Sequence, residues 1–514
     1  MSQSTTQEFG KWRSRLWPVH AYELKKFIPM LLMFFLISFN YTVFRDCKDS
    51  IVVPSCGAGA LPFIKVYGTV PAAVLFMLIY SKLSNILSKP MLFYVTIAPF
   101  VAFFALFAFV LYPYQHLFHP TESAAWLSAH LPENLAPVAL VYQNWTFALF
   151  YVLSELWGSA ILSLLFWGFA NDITRVSEAK RFYALFGLGA NIALVFSGEC
   201  IKYFSRIASH LPEHEAWGTA LKWMMGAACI NGVLVMVIYS WMNRAVLKDP
   251  RFYSPAEIKG KKEKPKLGLF ESFSYLAKSP YMLLIAAIVI CYGMSINFVE
   301  VSWKGQIGKA FPNHTDYSFF MGNLSEITGI VTCLMILFVS GNIMRRYGWT
   351  VAAILTPVIL GLTAFAFFGG LFAKEHLTGL ALMFGTSPLI LVVIFGLIQN
   401  VMSKATKYSL FDPTKEMSYI PLDQEQKVKG KAAIDVVGAR LGKSGGSIVQ
   451  QFLIATCGFA GMLPYAAVMV GVTIVAWIFA AKALGRRFGA LQARREAESA
   501  AVKPAAMGAQ EAKA

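Results

Sequence analysis

The sequence predicts an all-α membrane protein with about 12 transmembrane helices in two six-helix halves. The 514-residue chain is 57% hydrophobic and only 14% charged, with a mean hydropathy of +0.55, whereas a soluble domain carries more surface charge. Its apolar segments run for about 20 residues, the length that a helix needs to cross a bilayer. Basic connections alternate along the chain with connections that are poor in Lys and Arg.

Each apolar segment is interpreted as one membrane-crossing helix. In chain order the segments are 27–46, 61–82, 91–112, 143–170, 182–204, 219–242, 281–303, 317–340, 349–373, 384–403, 433–458 and 462–483. A polar, basic and proline-containing stretch separates the first six from the last six. Two sets of six with such a linker are typical of transporters whose halves are related by an axis along the membrane normal.

The chain therefore divides into five parts. They are a cytoplasmic N-terminal segment (1–26), an N-terminal half (27–242), a basic cytoplasmic linker (243–280), a C-terminal half (281–485) and a cytoplasmic tail (486–514). Within the second half, residues 404–431 are interpreted as a structured cytoplasmic loop or a short surface helix, because they are polar and contain Pro413 and Pro421.

The net charge of +17 lies mainly in one alternating set of loops. The positive-inside rule then places both termini in the cytoplasm. Nucleic acid is not expected as a partner, because the basic residues are scattered over many juxtamembrane loops. The seven cysteines show no CxxC and no pairing with His at metal-ligand spacing, so neither a metal site nor a cofactor is predicted.

Charges inside apolar segments point to function, because a charge at bilayer depth costs about 2.5–3.5 kcal/mol. In the eleventh segment, basic and hydroxyl side chains share one helical face. These residues are Arg440, Lys443, Ser444 and Ser447. These basic and hydroxyl side chains are suited to bind a phosphate chain. Alternatively, the basic residues form ion pairs with a carboxylate of a neighbouring helix. The two interpretations can both apply, at different stages of a transport cycle.

The string GARLGKSGG, which contains Arg440, Lys443 and Ser444 of this face, is not a P-loop. Val437 stands where the first glycine of GxxxxGK[ST] is required, and no strand precedes the string. The sequence therefore predicts a carrier and no enzyme.

Further polar residues share a face within the fourth and seventh segments. Asn144, Tyr151 and Glu155 fall on one face of the fourth, with Glu155 near its middle, too deep to reach the interface easily. Asn297, Glu300 and Lys304 share a face of the seventh.

Three other segments carry internal charges. Lys65 lies a few residues inside the second segment, and Glu326 lies inside the eighth. Arg45 and Lys48 line up with the polar face of the first segment, although residues 45–49 can also be interpreted as a solvated outer turn.

Two lysines, Lys65 and Lys443, and two glutamates, Glu155 and Glu300, thus come from helices of both halves. We expect them to line one aqueous cavity, where their ion pairs break when a polyanionic substrate binds and form again when it leaves. Unpaired buried charge in the empty carrier is costly, which favours obligatory exchange over uniport.

Several long motifs resemble one family. They are ELKKFIPMLLMFFLISFNYTVFRDCKDSIVV, SELWGS, FWGFAND, INFVEVSWK, KYSLFDPTKEMSYIPLD and KVKGKAAIDVV. They resemble the nucleotide transporters, or ATP/ADP translocases, of obligate intracellular bacteria and plant plastids, and the chlamydial type in particular. The resemblance extends over about residues 25–485.

The resemblance implies a major-facilitator-like carrier of the bacterial inner membrane that takes up ATP in exchange for ADP and phosphate. The expected substrates are ATP, ADP and phosphate. We expect the protein to lie in a lipid bilayer and to be a monomer. The family's charged transport residues match Lys65 in LPFIK, Glu155 in SELWGS, Glu300 in FVEVSWK and Lys443 in LGKSGG.

Two acids depart from the family pattern. Glu199 stands where relatives commonly carry a basic residue, and Glu326 is an additional acid in the eighth segment. A carboxylate in the membrane is what proton coupling uses, so proton-driven import of nucleotides stays open as the alternative to exchange.

Overall fold

Helices account for the secondary structure of the residues that the computed structural model describes, which are 17–249, 251, 252, 279–422, 434 and 439–511. The predicted all-α class is confirmed. The long helices of the N-terminal half are α1 (Leu24–Cys56), α2 (Ala60–Ile86), α3 (Lys89–Leu111), α4 (Trp145–Ile173), α5 (Val176–Ala208) and α6 (Glu213–Val246). Short helices Gln115–Phe118, Thr121–His130 and Ala136–Gln143 connect α3 to α4.

The C-terminal half begins with α7 (Pro280–Ala310), α8 (His314–Val339), α9 (Gly341–Phe372) and α10 (Pro388–Ser418). Its last helix, Ala439–Glu511, is broken at Gly458, where φ is 73° and ψ is 174°. We name residues 439–457 α11 and residues 459–511 α12. Most of the predicted linker, residues 253–278, lies outside the described residues.

Eleven helices within the described ranges are long and apolar enough to cross a membrane. The last of these spans, Gly442–Ala493, has 52 residues and includes the break at Gly458, so it contains both of the final predicted crossings. The predicted arrangement in two six-helix halves is therefore confirmed.

Three helices extend well past their predicted ends. α1 continues to Cys56 instead of residue 46, α7 continues to Ala310 instead of residue 303, and α10 continues to Ser418 instead of residue 403. Of the two interpretations of residues 404–431, the loop is wrong for residues 404–418, which are helical and continue α10. Residues 423–431 lie outside the described part of the chain.

Three helices of the C-terminal half begin at a side-chain cap. Ser279 accepts a hydrogen bond from the backbone of Met282, and Ser387 accepts one from Ile390. Both caps precede a proline at the first helical position, where its missing N–H has no cost. Asn313 caps α8 in the same way.

Of the short π-helical segments in the described helices, three lie next to charged residues inside the bundle. In α2 the segment is Ile64–Thr69, which contains Lys65. In α4 it is Gly158–Phe166, which begins one turn after Glu155. In α10 it is Lys407–Phe411, which begins one turn after Lys404. Such segments occur frequently at functional sites, so they direct attention to these three positions.

Glycines allow close packing between helices. A Cβ added at Gly198 of α5 would lie 2.5 Å from the carbonyl oxygen of Gly322 in α8, which joins the two halves. A Cβ added at Gly293 of α7 would lie 3.0 Å from Cα of Gly442 in α11. Small residues at such crossings are what bring membrane helices into van der Waals contact.

Hydrogen bonds between described residues of the two halves lie toward one end of the bundle. The ring Nδ1 of His314, at the start of α8, lies 2.7 Å from the carbonyl oxygen of Ser50 in α1. The amide of Gln451 in α11 donates to the carbonyl oxygen of Pro62 in α2 at 3.0 Å. Because α1 and α7 both finish at this end, we call it the closed end.

Candidate functional site

An alternating row of charges crosses from the N-terminal half to the C-terminal half. Nζ of Lys48 lies 2.9 Å from Asp49 and 3.1 Å from Glu155 of α4. Nζ of Lys304 lies 2.8 Å from the other oxygen of Asp49 and 2.8 Å from Glu300. We call these five residues the ion-pair chain. Its two lysines and three carboxylates join α1, α4 and α7.

The middle of the ion-pair chain is buried, and the side chains at its two ends are partly exposed. The side chains of Lys48, Asp49 and Lys304 are 3%, 1% and 2% exposed. Glu155 and Glu300 retain 31% and 28% exposure although they lie deep within the helix bundle. The two glutamates therefore face an internal space that water can enter, which we call the central space.

Tyr151 lies beside the ion-pair chain, one turn before Glu155. Nζ of Lys48 is 3.8 Å from the centre of its ring, which is fully buried. A desolvated cation–π contact of this kind is worth about 2 kcal/mol. Together with Glu155 it fixes the position of the lysine.

Lys65 contacts the opposite half through a neutral partner. Its Nζ donates a hydrogen bond of 2.7 Å to Oδ1 of Asn297. The amide nitrogen of Asn297 in turn donates to Oγ of Ser447 at 2.9 Å and to the carbonyl oxygen of Lys443 at 3.1 Å. Among the described residues Lys65 has no carboxylate at ion-pair distance, so its charge remains available to an anion.

Lys443 and Ser444 follow the close approach of α7 and α11. Lys443 is exposed and Ser444 is half-buried. The cations that act electrostatically on Glu155 are Lys48, Lys443 and Lys65, which places Lys443 around the same central space. No described carboxylate lies at ion-pair distance from Lys443. The side chain of Arg440 lies outside the described residues.

Arg45 ties α1 to α8. Its Nε donates to Asp46 at 2.9 Å, and its Nη2 donates to Oγ of Ser325 at 2.7 Å. The hydroxyl of Ser325 donates to the second oxygen of Asp46. The interpretation of residues 45–49 as a solvated turn is wrong, because Lys48 and Asp49 are almost completely buried.

Two of the predicted residues lie apart from the ion-pair chain. Asn144 occupies the break before α4 and donates to the carbonyl oxygen of Leu140 at 3.0 Å. Glu326 of α8 pairs with Lys202 of α5, which also pairs with Glu199 at 2.6 Å. Each acid that departs from the family pattern is thus matched by the same lysine.

The prediction missed Asp49 and Lys304 as members of the site. Both lie past the predicted ends of their segments, at residues 46 and 303. The spacing of four residues did place Lys304 on the helical face of Glu300, but Lys304 was not counted among the site residues. Within the described residues, no three His, Cys, Asp or Glu side chains form a group that could hold a metal ion.

Taken together, the site can exchange one set of ionic contacts for another. Buried ion pairs are stable only while every charge keeps a partner. A polyanion that enters the central space meets Lys65 and Lys443, which have no carboxylate partner in the described residues, and two accessible glutamates held by lysines. Its binding therefore alters the balance that holds the two halves together.

Two solved structures have a similar fold. One is a bacterial homologue of the iron transporter ferroportin in an inward-facing state, with a TM-score of 0.53 and 14% identity, covering 90% of this chain and 100% of that one. The other is a D-xylose–proton symporter, with a TM-score of 0.53 and 13% identity, covering 89% of this chain and 98% of that one. This similarity concerns the fold alone, and it confirms the major-facilitator-like architecture.

Three other proteins are much more similar to this chain in sequence than these two structures are. ADP,ATP carrier protein 1 of Chlamydia muridarum is 55% identical over 510 residues, which cover 98% of this chain and 96% of the relative. The chloroplastic ADP,ATP carrier protein 1 of Arabidopsis thaliana is 47% identical, over 94% of this chain and 77% of the relative. ADP,ATP carrier protein 1 of Rickettsia typhi is 41% identical, over 96% and 100%.

A family model matches nearly the whole sequence. Residues 2–488 match the model described as TLC ATP/ADP transporter. The chain therefore belongs to the TLC ATP/ADP transporter family.

Proposed function

We infer that this protein is an integral membrane carrier that exchanges ATP for ADP by alternating access. The names of relatives that are 41–55% identical over nearly the whole chain support the substrates. The observation that carries the mechanism is the ion-pair chain, because it joins the two halves and ends in two carboxylates that water can reach.

In the proposed cycle the nucleotide's phosphates and the two glutamates compete for the same cations. Lys65 and Lys443 attract the phosphates into the central space, and Glu155 and Glu300 are the counter-charges. As a phosphate takes over a lysine contact, the ion pairs weaken and the closed end can separate. When the nucleotide leaves, the glutamates recover lysine partners, and the empty carrier keeps its conformation until another nucleotide binds, as exchange requires.

The orientation follows from the loop charges. With both termini in the cytoplasm, the closed end, where α1 and α7 finish, faces outward. The described structure then represents an inward-facing state. For the protein as a whole we propose a bacterial inner-membrane location, a monomer, two halves at 27–242 and 281–485, and the basic segment 243–280 as cytoplasmic linker.

Charge balance gives a reason for phosphate as a co-substrate. ATP carries about one more negative charge than ADP, and moving one charge through a membrane potential costs about 2.3 kcal/mol per 100 mV. Export of phosphate together with ADP reduces the charge moved per cycle. The chemistry proposed is binding and release only, with no bond of the nucleotide broken.

The alternative, proton-coupled import, requires a carboxylate that gains and loses a proton. Glu326 was the candidate, but it forms an ion pair with Lys202 of α5, which favours a structural role at the α5–α8 contact. Exchange is therefore the better supported mode.

Uptake of labelled ATP into proteoliposomes tests this function. We expect uptake only when the vesicles are preloaded with ADP, no effect of a protonophore, and recovery of chemically intact ATP inside. A Lys443→Ala variant serves as the negative control: it should still insert into the membrane but lose most of the ATP uptake. Uptake that needs no internal nucleotide and stops with the protonophore would contradict exchange and support proton coupling.

A further inference from the structure

Lys404 is a cation inside the bundle whose charge no described carboxylate neutralises. It lies on α10 one turn after the buried Asn400 and is half-buried. Lys407, one turn farther along, is by contrast held by Asp412 at 2.7 Å. A partly desolvated ammonium group without a counter-ion is costly, so its presence indicates a partner that is not part of the protein.

The charged groups that surround Lys404 come from two helices, α1 and α7. In descending order of electrostatic effect they are Arg45, Glu300, Asp46 and Lys304. Both carboxylates already have cations, since Arg45 binds Asp46 at 2.9 Å and Lys304 binds Glu300 at 2.8 Å. Lys404 therefore adds a positive charge to a set that is already balanced.

Arg45 can contribute to the same site. Its Nε and Nη2 atoms are used by Asp46 and Ser325, and 15% of its side chain remains exposed. The electrostatic neighbours of its guanidinium group include Tyr41 and Tyr408. Tyr408 is 41% exposed and lies one turn after Lys404, so a phenol donor stands near the two cations.

Glu300 relates this group to the residues that were predicted from the sequence. The cations acting on Glu300 are Lys304, Lys65 and Lys404. Lys65 of α2 and Lys404 of α10 thus stand around the same carboxylate in the central space, one from each half. A chain of linked phosphoryl groups carries the negative charge that both cations attract.

We propose that Lys404 and Arg45 form a second phosphoryl-binding pair in the central space, which holds phosphoryl groups beyond those held by Lys65 and Lys443. The proposal rests on the proposed function, and it identifies a residue of α10 that contacts substrate. The ligand chemistry is a phosphoryl group, supplied either by the end of the nucleotide's phosphate chain or by free phosphate.

Transport by Lys404→Gln and Lys404→Arg variants in proteoliposomes tests the pair, with Lys82→Gln, an exposed lysine at the end of α2, as matched control. Loss of one charge-assisted contact should raise KM for ATP about tenfold. Inorganic tripolyphosphate, which has no base, should become a weaker inhibitor by the same factor. Lys404→Arg should retain most of the affinity, and Lys82→Gln should match the unaltered protein.

The probes separate the two sources of the phosphoryl group. A tenfold loss with ATP and tripolyphosphate assigns the pair to the nucleotide, whereas a loss confined to inhibition by inorganic phosphate assigns it to free phosphate. Unchanged KM and unchanged inhibition by all three anions would overturn the proposal. Absence of exchange by the unaltered protein would instead refute the proposed function.

Thermal unfolding distinguishes binding from a structural role. Because Lys404 has no carboxylate partner in the described residues, Lys404→Gln should be at least as stable as the unaltered protein without ligand. Tripolyphosphate should raise the Tm of the unaltered protein but have little effect on the variant. A lower Tm without ligand, together with unchanged stabilisation by tripolyphosphate, would assign Lys404 to the fold and overturn the proposal.

Discussion

Replacing Lys304 by methionine is expected to abolish nucleotide exchange and to destabilise the carrier. Lys304 is 2% exposed and contacts both Asp49 and Glu300. Its loss leaves three carboxylates around Lys48 alone, and breaking a buried ion pair from one side costs about 3–5 kcal/mol. Thermal unfolding in detergent and exchange in proteoliposomes measure the two effects. Lys309→Met, an exposed lysine of the same helix, is the control.

A second variant, Asp49→Asn, tests the same prediction because it removes a negative charge instead of a positive one. Asp49→Asn removes one of the three carboxylates and leaves Lys48 with Glu155 and Lys304 with Glu300, so both lysines remain paired. Asp49→Asn should therefore be clearly more stable than Lys304→Met. Equal stability of the two variants would show that the ion-pair chain does not balance charge in this way.

Glu155→Gln is expected to slow exchange without unfolding the protein. Glu155 is 31% exposed and lies at one end of the ion-pair chain, and Lys48 keeps Asp49 as partner after the change. The carboxylate competes with phosphate for nearby cations, so its removal should tighten nucleotide binding and delay release. Both KM and the maximal rate of ATP exchange should fall, the rate by about tenfold or more.

Steady-state exchange at varied ATP concentration separates the two parameters. Glu122→Gln, in the exposed connection between α3 and α4, is the control and should leave both unchanged. A variant whose KM rises at unchanged maximal rate would mean that Glu155 assists binding, contrary to the competition proposed here.

The sequence was sufficient to predict the all-α class, the two halves and the positions of most spans, because these depend on the length and polarity of local segments. It also drew attention to Glu155, Glu300, Lys65 and Lys443, which are charges well inside apolar runs. Such positions are informative because the bilayer permits a charge there only with a partner or a water-filled space.

The prediction was less successful where a charge lies near the end of an apolar segment. Hydropathy falls at Asp49, Lys304 and Lys404, so the segments were ended before each of them. The helices nevertheless continue, since two of these residues find their counter-charges on other helices, as in the contact between Lys304 of α7 and Asp49 of α1. A local hydropathy pattern gives no information on ion pairs between residues that are distant in the chain.

The separation of the closed end on nucleotide binding tests the central claim most directly. Spin labels at positions 122 and 376, both exposed on connections at that end, report the distance between the two halves. The ion-pair chain predicts one short distance without ligand, and a second, longer population when ATP is added at a concentration that saturates exchange. A distance distribution that ATP leaves unchanged would contradict the claim that the nucleotide replaces the ionic contacts between the halves.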